Sequence, residues 1–220
     1  MSAKFIVFEG SDGTGKTTQA KLLRDFLAKK GIDSVIIDFP RYWSSFHGRI
    51  IRRYLHGELG KLDHVNPYLI SFAYSLDRAT AKEEIQGWLN EGKFVIADRY
   101  APSNMAYQAA KLPPSKRNQF IKWDYDLEYK ENKIVPEDFV LYLYLPIDIT
   151  TKLLKKRNRK LDIHEVNVDL LRESQKMYLK LSKRFKHWVV INCVDEQGNL
   201  KSREEIHEKI VATLKKLNII

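Results

Sequence analysis

The residues best suited to chemistry lie near the start of the 220-residue chain, where Gly10-Ser11-Asp12-Gly13-Thr14-Gly15-Lys16-Thr17 satisfies the spacing G-x-x-x-x-G-K-[ST]. Glycines at this spacing let successive backbone N–H groups turn inward around a phosphate, and a helix beginning after Gly15 adds the positive end of its dipole. Lys16 is then placed to bridge the β- and γ-phosphates of a nucleoside triphosphate, and the Thr17 hydroxyl to ligate Mg2+. A second pair, Asp98-Arg99, follows the apolar residues 94–97. At the carboxyl end of a strand, both side chains would face the crevice where α/β sheets bind ligands. There Asp98 can hold metal-bound water, and Arg99 can grip a phosphate with its bidentate fork. ATP or another nucleoside triphosphate with Mg2+ is the expected ligand. The loop leaves the acceptor open, because hydrolases, motors and small-molecule kinases share it.

These residues need a scaffold, and the apolar pattern supplies one. Short apolar runs at 4–8, 34–39, 94–98, 139–145 and 188–192 read as strands. Between them lie helical patterns at 16–30, 48–55, 103–110 and 114–129, and helices starting near Ile147, Val168 and Ser202. Pro67 opens what the pattern predicts as one long helix to about Glu91, because Pro is tolerated at a first helical position. In that helix Leu69, Phe72 and Leu76 are expected on the core face, with Tyr74 and Arg78, four residues apart, projecting together from a roughly opposite one. Strands alternating with helices predict an α/β fold: a five-stranded parallel sheet in a three-layer α/β/α sandwich. The expected organisation is a single domain over residues 1–220, with a small basic lid at about 155–166.

Composition narrows the class. Apolar residues make up 44% of the chain, enough for a substantial core, so a disordered chain is not expected. No apolar run approaches the roughly 20 residues of a membrane span. A soluble, cytoplasmic protein without membrane or nucleic-acid partners is expected. The lone Cys193 permits neither an intrachain disulfide nor a cysteine metal cluster. A formal charge of +10 suggests a polyanion, but its placement matters more than its sum. Residues 146–187 hold twelve Lys/Arg against five Asp/Glu, an excess of +7 around the expected lid. That location points to nucleotide phosphates.

Taken together, the loop and Asp98-Arg99-Tyr100 resemble the thymidylate kinase family, P-loop enzymes that phosphorylate dTMP to dTDP with ATP in deoxynucleotide synthesis. Phe8-Glu9-Gly10 through Thr17-Thr18-Gln19 is similar to the family's opening, which implies ATP contacts from Gly10 to Thr18. Phe39-Pro40-Arg41 resembles the segment whose Arg binds the acceptor phosphate. Tyr74 through Arg78 is similar to its aromatic-x-x-x-Arg, where an aromatic, usually Phe, stacks on thymine and the Arg recognises its carbonyl edge. The stretch Asp98 to Gln108 is the most specific match beyond the loop. It implies a phosphate-facing Asp98 and Arg99, polar base contacts from Ser103 and Asn104, and a sugar contact from Tyr107. Bottom-up, Arg41 just past the second strand would share the crevice with Arg99, and two arginines suit a dianionic monophosphate. The resemblance is weakest at 42–66 and 111–136.

Some members of that family carry a catalytic Arg inside the phosphate loop, and others carry it in the lid. Gly13 at the loop position makes this chain resemble the lid-arginine type, with Arg157 or Arg159 supplying the charge. The expected catalytic set is Lys16, Arg99, Asp98, Asp12, Arg157 and Arg159, with Thr17 and Asp98 on the metal, the latter directly or through water. A homodimer is also implied. The rival readings are a deoxynucleoside kinase, a monophosphate kinase of broader specificity, and a P-loop nucleic-acid-binding ATPase.

Overall fold

A computed structural model describes residues 2–156 and 160–220. Its elements run β1 (Phe5–Glu9), α1 (Lys16–Lys29), β2 (Ser34–Asp38), α2 (Phe46–Leu55), α3 (Pro67–Ala79), α4 (Lys82–Asn90), β3 (Phe94–Asp98), α5 (Ala101–Ala110), α6 (Pro114–Tyr125), β4 (Phe139–Tyr144), α7 (Ile147–Lys155), α8 (Val168–Arg184), β5 (Trp188–Asn192) and α9 (Arg203–Lys216). The five strands form one parallel sheet in the order β2-β3-β1-β4-β5. This is the expected α/β sandwich.

The central strands β1, β3 and β4 are apolar up to their carboxyl ends because both sheet faces are covered there. Phe5, Val7, Val95 and Ala97 point into one core with α5, α6 and α8. Ile6, Phe8, Phe94 and Ile96 point into the other, beneath α1 and α9. Burying one such side chain contributes about 1.5–3 kcal/mol, so the central strands are firmly held. β1 and β3 lie side by side with Phe8 opposite Asp98. That register sets the phosphate loop after β1 beside the Asp98-Arg99 pair after β3.

The expected long helix is two. α3 ends at Ala79, with Thr80 as its C-cap, and α4 begins at Lys82. In an unbroken helix the Ala81 N–H would donate to the Asp77 carbonyl, but it donates to that of Arg78 instead, at 3.0 Å. The Asp77 carbonyl accepts from Arg41 Nη2 at 3.0 Å and from Thr80 Oγ1 at 3.0 Å. Side chains thus satisfy the acceptor that helix continuation would have used. Residues 114–129 are likewise not one regular helix, since α6 stops at Tyr125 and a π-helical turn covers Asp126–Glu131.

The faces of α3 are also the reverse of expectation. Leu69, Phe72 and Leu76 are 69%, 43% and 38% exposed, whereas Ser71, Ser75, Asp77 and Arg78 are buried. The polar face turns inward because it meets built partners. Ser45 Oγ and the Arg41 amide donate to the Asp77 carboxylate, and Arg78 pairs with Glu128 of the π-helical turn.

Candidate active site

The chain leaves β1 at Glu9 and turns into the phosphate loop at Gly10, whose φ is +150°. A Cβ there would lie 2.8 Å from the Leu143 carbonyl oxygen and 2.8 Å from Thr14 Oγ1, so only glycine fits. Thr14 Oγ1 donates to the Ser11 carbonyl at 2.9 Å, and Lys16 Nζ donates to the carbonyls of Gly10 at 3.2 Å and Ser11 at 3.0 Å. The lysine is curled over its own loop, next to the start of α1. Burial and the neighbouring Arg99 push its ammonium down to about 8, against the pull of Asp98, Asp12 and Glu9.

The phosphate loop meets Arg99 and helix α5 at Asp12. Arg99 Nη2 donates to Asp12 Oδ1 at 2.6 Å, and the Tyr107 hydroxyl donates to Oδ2 at 3.1 Å. Burial alone would raise the Asp12 carboxyl, but the charges of Arg99 and Lys16 hold it well below the usual carboxylate range. Arg99 takes this position with a left-handed backbone, φ +69°, which few non-glycine residues adopt. Its ring of partners includes Ser103 Oγ at 3.2 Å and the Tyr178 hydroxyl at 3.4 Å.

Glu9, which no sequence motif marks, lies beneath Arg99. Its carboxylate accepts from the amides of Tyr100 at 2.9 Å and Ser103 at 3.1 Å, from Ser103 Oγ at 2.6 Å and from the Tyr178 hydroxyl at 2.8 Å. Burial raises the Glu9 carboxyl, with Arg99 and these donors opposing. The acid anchors the N-terminal turn of α5, the helix that carries the acceptor-side residues. An acid at a buried strand end was its only sequence signal.

A cleft of about 800 Å3 opens over the loop, lined by Asp12, Lys16, Thr17, Thr18, Asp38, Asp98 and Arg99 among others. Thr17 Oγ1 donates to Asp98 Oδ2. The carboxylates of Asp38 and Glu165 line the same cleft. Such an oxygen-only set suits Mg2+, which is commonly held by one or two carboxylates together with substrate phosphates. Among the described residues no group of three His, Cys, Asp or Glu could hold a metal without such help.

Beside the cleft is a cavity of about 60 Å3 lined by Tyr42, Tyr74, Ser103, Asn104, Tyr107, Gln108 and His164, with Asp12 and Arg99 at its rim. α5 supplies four of these from one stretch of its surface. The His164 ring stacks on Tyr107 at 5.4 Å between centroids and 10° between planes. Burial and the positive charge of Lys111 push that imidazole well below the usual histidine range. Asp162 in the same turn is raised to about 6 by burial and by Asp12.

Two of the sequence-derived acceptor residues are elsewhere. Arg41 lines neither cleft nor cavity, because its guanidinium is drawn to Asp77, Thr80 and Glu84. Arg78 is 2% exposed and forms a closed ion pair with Glu128, so it does not reach the base cavity either. An unforeseen cation takes up the cleft wall. Arg52 lines it with its guanidinium 4.5 Å from the centroid of the exposed Trp43 ring, and it has no ion-pair partner among the described residues. Arg157 and Arg159 lie outside the described residues.

The phosphate loop and the neighbouring cavity share a wall at Asp12, and the relatives of the chain define its class as nucleoside monophosphate kinase. The thymidylate kinase family profile matches residues 8–210. A probable thymidylate kinase of Thermococcus onnurineus is 34% identical over 213 residues, covering 94% of this chain and 95% of its own. The thymidylate kinase of Mycobacterium tuberculosis is 29% identical, covering 89% and 94%. The solved thymidylate kinase of Candida albicans shares the fold with a TM-score of 0.81 at 21% identity, over 99% of this chain and 93% of that one. The chain belongs to the thymidylate kinase family. Its reaction is the phosphorylation of dTMP to dTDP with ATP as donor, and the rival readings are not favoured.

Proposed function

We propose that Mg2+ and the triphosphate of ATP occupy the cleft while dTMP enters the cavity along α5, and that transfer is in-line across Asp12. The Asp12–Arg99–Tyr107 junction carries this reading, because among the described residues it is the one place where the phosphate loop and the cavity share hydrogen bonds. A dTMP phosphate oxygen attacks the γ-phosphorus as the bond to the ADP oxygen breaks. That oxygen is already ionised near neutral pH, so no strong general base is needed. Lys16 leaves its loop carbonyls for the β- and γ-phosphates, Thr17 and Asp98 hold Mg2+, and Arg99 receives the acceptor phosphate. Tyr74 stacks on the base, Ser103 and Asn104 line it, and Tyr107 bounds the sugar.

Arg157 or Arg159 closes from a lid at about 155–166 within a single domain. When bound, the metal neutralises charge on the transferring group. Neither Arg41 nor Arg78 has a substrate contact in this scheme. Turnover of ATP against dTMP, dUMP, dCMP, dGMP and thymidine tests it. The reading requires dTMP to lead, and thymidine turning over as well as dTMP would overturn it.

A cytoplasmic homodimer completes the proposal. No helix of the described residues is long and apolar enough to cross a membrane. Leu69, Phe72 and Leu76 leave an apolar stripe on α3 uncovered in the single chain. Sedimentation should show a dimer, and a Phe72→Glu, Leu76→Glu variant should shift it to the monomer. A monomeric parent protein would remove this part of the reading.

A further inference from the structure

The acceptor cavity is floored by two amides one turn apart on α5, Asn104 and Gln108, and each amide is tied from behind by a group of known polarity. Asn104 Nδ2 donates to Asp124 Oδ1 at 2.7 Å, while its Oδ1 accepts from Ser71 Oγ at 3.5 Å and keeps a second lone pair for a ligand. Gln108 is 1% exposed, and its Oε1 accepts from Lys111 Nζ at 2.7 Å. An amide's two ends are told apart only by their partners, and an ammonium can only donate. Lys111 therefore fixes Oε1 toward itself and leaves Nε2, which has no hydrogen-bond partner among the described residues, as the free end.

Lys111 is itself held. It is the C-cap of α5, and its ammonium also donates to the Tyr54 hydroxyl and sits 4.9 Å from the centroid of that ring. The Tyr54 hydroxyl is in turn hydrogen-bonded to His164 Nε2 at 3.1 Å. No carboxylate pairs with Lys111 among the described residues, and desolvation pushes its ammonium down to about 7, with Asp63 opposing. A cation held by neutral partners in this way is costly to keep, and a packed apolar side chain would be cheaper. Its position behind the cavity wall supplies a reason for it.

We propose that Lys111 is a positioning residue for base selection: by holding Gln108 Oε1 it turns the Nε2 donor toward the acceptor cavity, beside the Asn104 Oδ1 acceptor. A donor and an acceptor side by side match the imide edge of a keto pyrimidine, with its C=O and N3–H. With sugar and phosphate holding the same pose, they oppose cytosine, which presents an amino group in place of that C=O and an unprotonated N3 in place of the N3–H. Arg78 cannot make this distinction from its buried pair with Glu128.

This inference rests on the acceptor cavity assigned above, so its test is read by binding rather than turnover. Calorimetry with dUMP and dCMP compares two nucleotides with the same sugar and phosphate that differ in this edge alone. The wild-type protein should bind dUMP at least about tenfold more tightly, a difference of about 1.4 kcal/mol. Lys111→Met frees the amide to rotate and should bring the ratio down about tenfold, mainly by strengthening dCMP. Gln108→Glu presents acceptors only and should lower the ratio as well, which keeps the test alive if Lys111→Met fails to fold. Tyr54→Phe removes the other partner of Lys111 and should leave the ratio near wild type, which a merely structural role for Lys111 does not predict. An unchanged ratio in Lys111→Met, or in Gln108→Glu, overturns the proposal. Loss of ATP-dependent turnover with the ratios as expected would count against the kinase scheme and not against Lys111.

Discussion

The two ends of the binding region are built on opposite plans. At the loop end the polar side chains, all but Thr17 charged, are paired with the loop or with one another: Lys16 on its own loop, Asp12 with Arg99, Thr17 with Asp98. At the proposed base end, beyond the Asp12, Arg99 and Asp162 that also line the cavity, the charges are set back, with Lys111 bonded to Gln108, Asp124 to Asn104 and Arg78 closed on Glu128, and neutral amides and rings line the rest. A phosphate carries full charge and rewards a full counter-charge. A pyrimidine offers only the direction of its donors and acceptors, so orientation has to be fixed by groups that never touch it.

The largest expected effect lies at the phosphate end. Lys16→Ala should lower kcat for dTMP-dependent ADP formation by about 100- to 1,000-fold, the usual loss when a preorganised charge stabiliser is removed. Full retention of turnover would break the contrast at its strongest point. Arg78→Met should act on folding instead. Leaving Glu128 buried without its partner costs about 3–5 kcal/mol, seen as a lower urea midpoint, and Arg78→Met with Glu128→Leu should recover most of it. An Arg78→Met protein of normal stability that had lost dTMP affinity would place the arginine on the base after all.

The smallest effect is a pH dependence. In the free protein Lys16 is charged below about 8 and neutral above it. ATP affinity should therefore fall as pH rises through about 8, by at most about tenfold per unit, and this slope should vanish in Lys16→Ala. A wild-type affinity flat to pH 9.5 would show that the loop lysine keeps its proton and would remove the electrostatic half of the contrast.

The same division explains what could be read in the sequence. The loop motif and the Asp98-Arg99 pair are local, so both could be located before any contact was known, and strands buried on two faces announce themselves as unbroken apolar runs. α3 was different. Periodicity shows which residues share a face but not which face is covered, and an apolar stripe is ordinarily the covered one. Here Glu128, fifty positions from Arg78, makes the polar face the inner one. Arg41 was misplaced for a related reason. Its nearness to the end of β2 was legible, whereas the Asp77 and Thr80 partners that draw it away belong to α3 and its cap. Gln108 stood within a recognised stretch, but nothing in the sequence ties its amide to Lys111 or His164 to Tyr54.

Trp43 stands 76% exposed on the wall of the cleft, with the Arg52 guanidinium above its ring and residues 160–163, 165 and 166 lining the same space. Of the chain's four tryptophans it alone lines either the cleft or the cavity. The protein therefore carries an optical reporter of its own. Movement of that segment over bound nucleotide would change the water around one indole and leave three as an internal reference. Emission from the unlabelled protein, compared with Trp43→Phe, would show whether and when that segment moves during turnover.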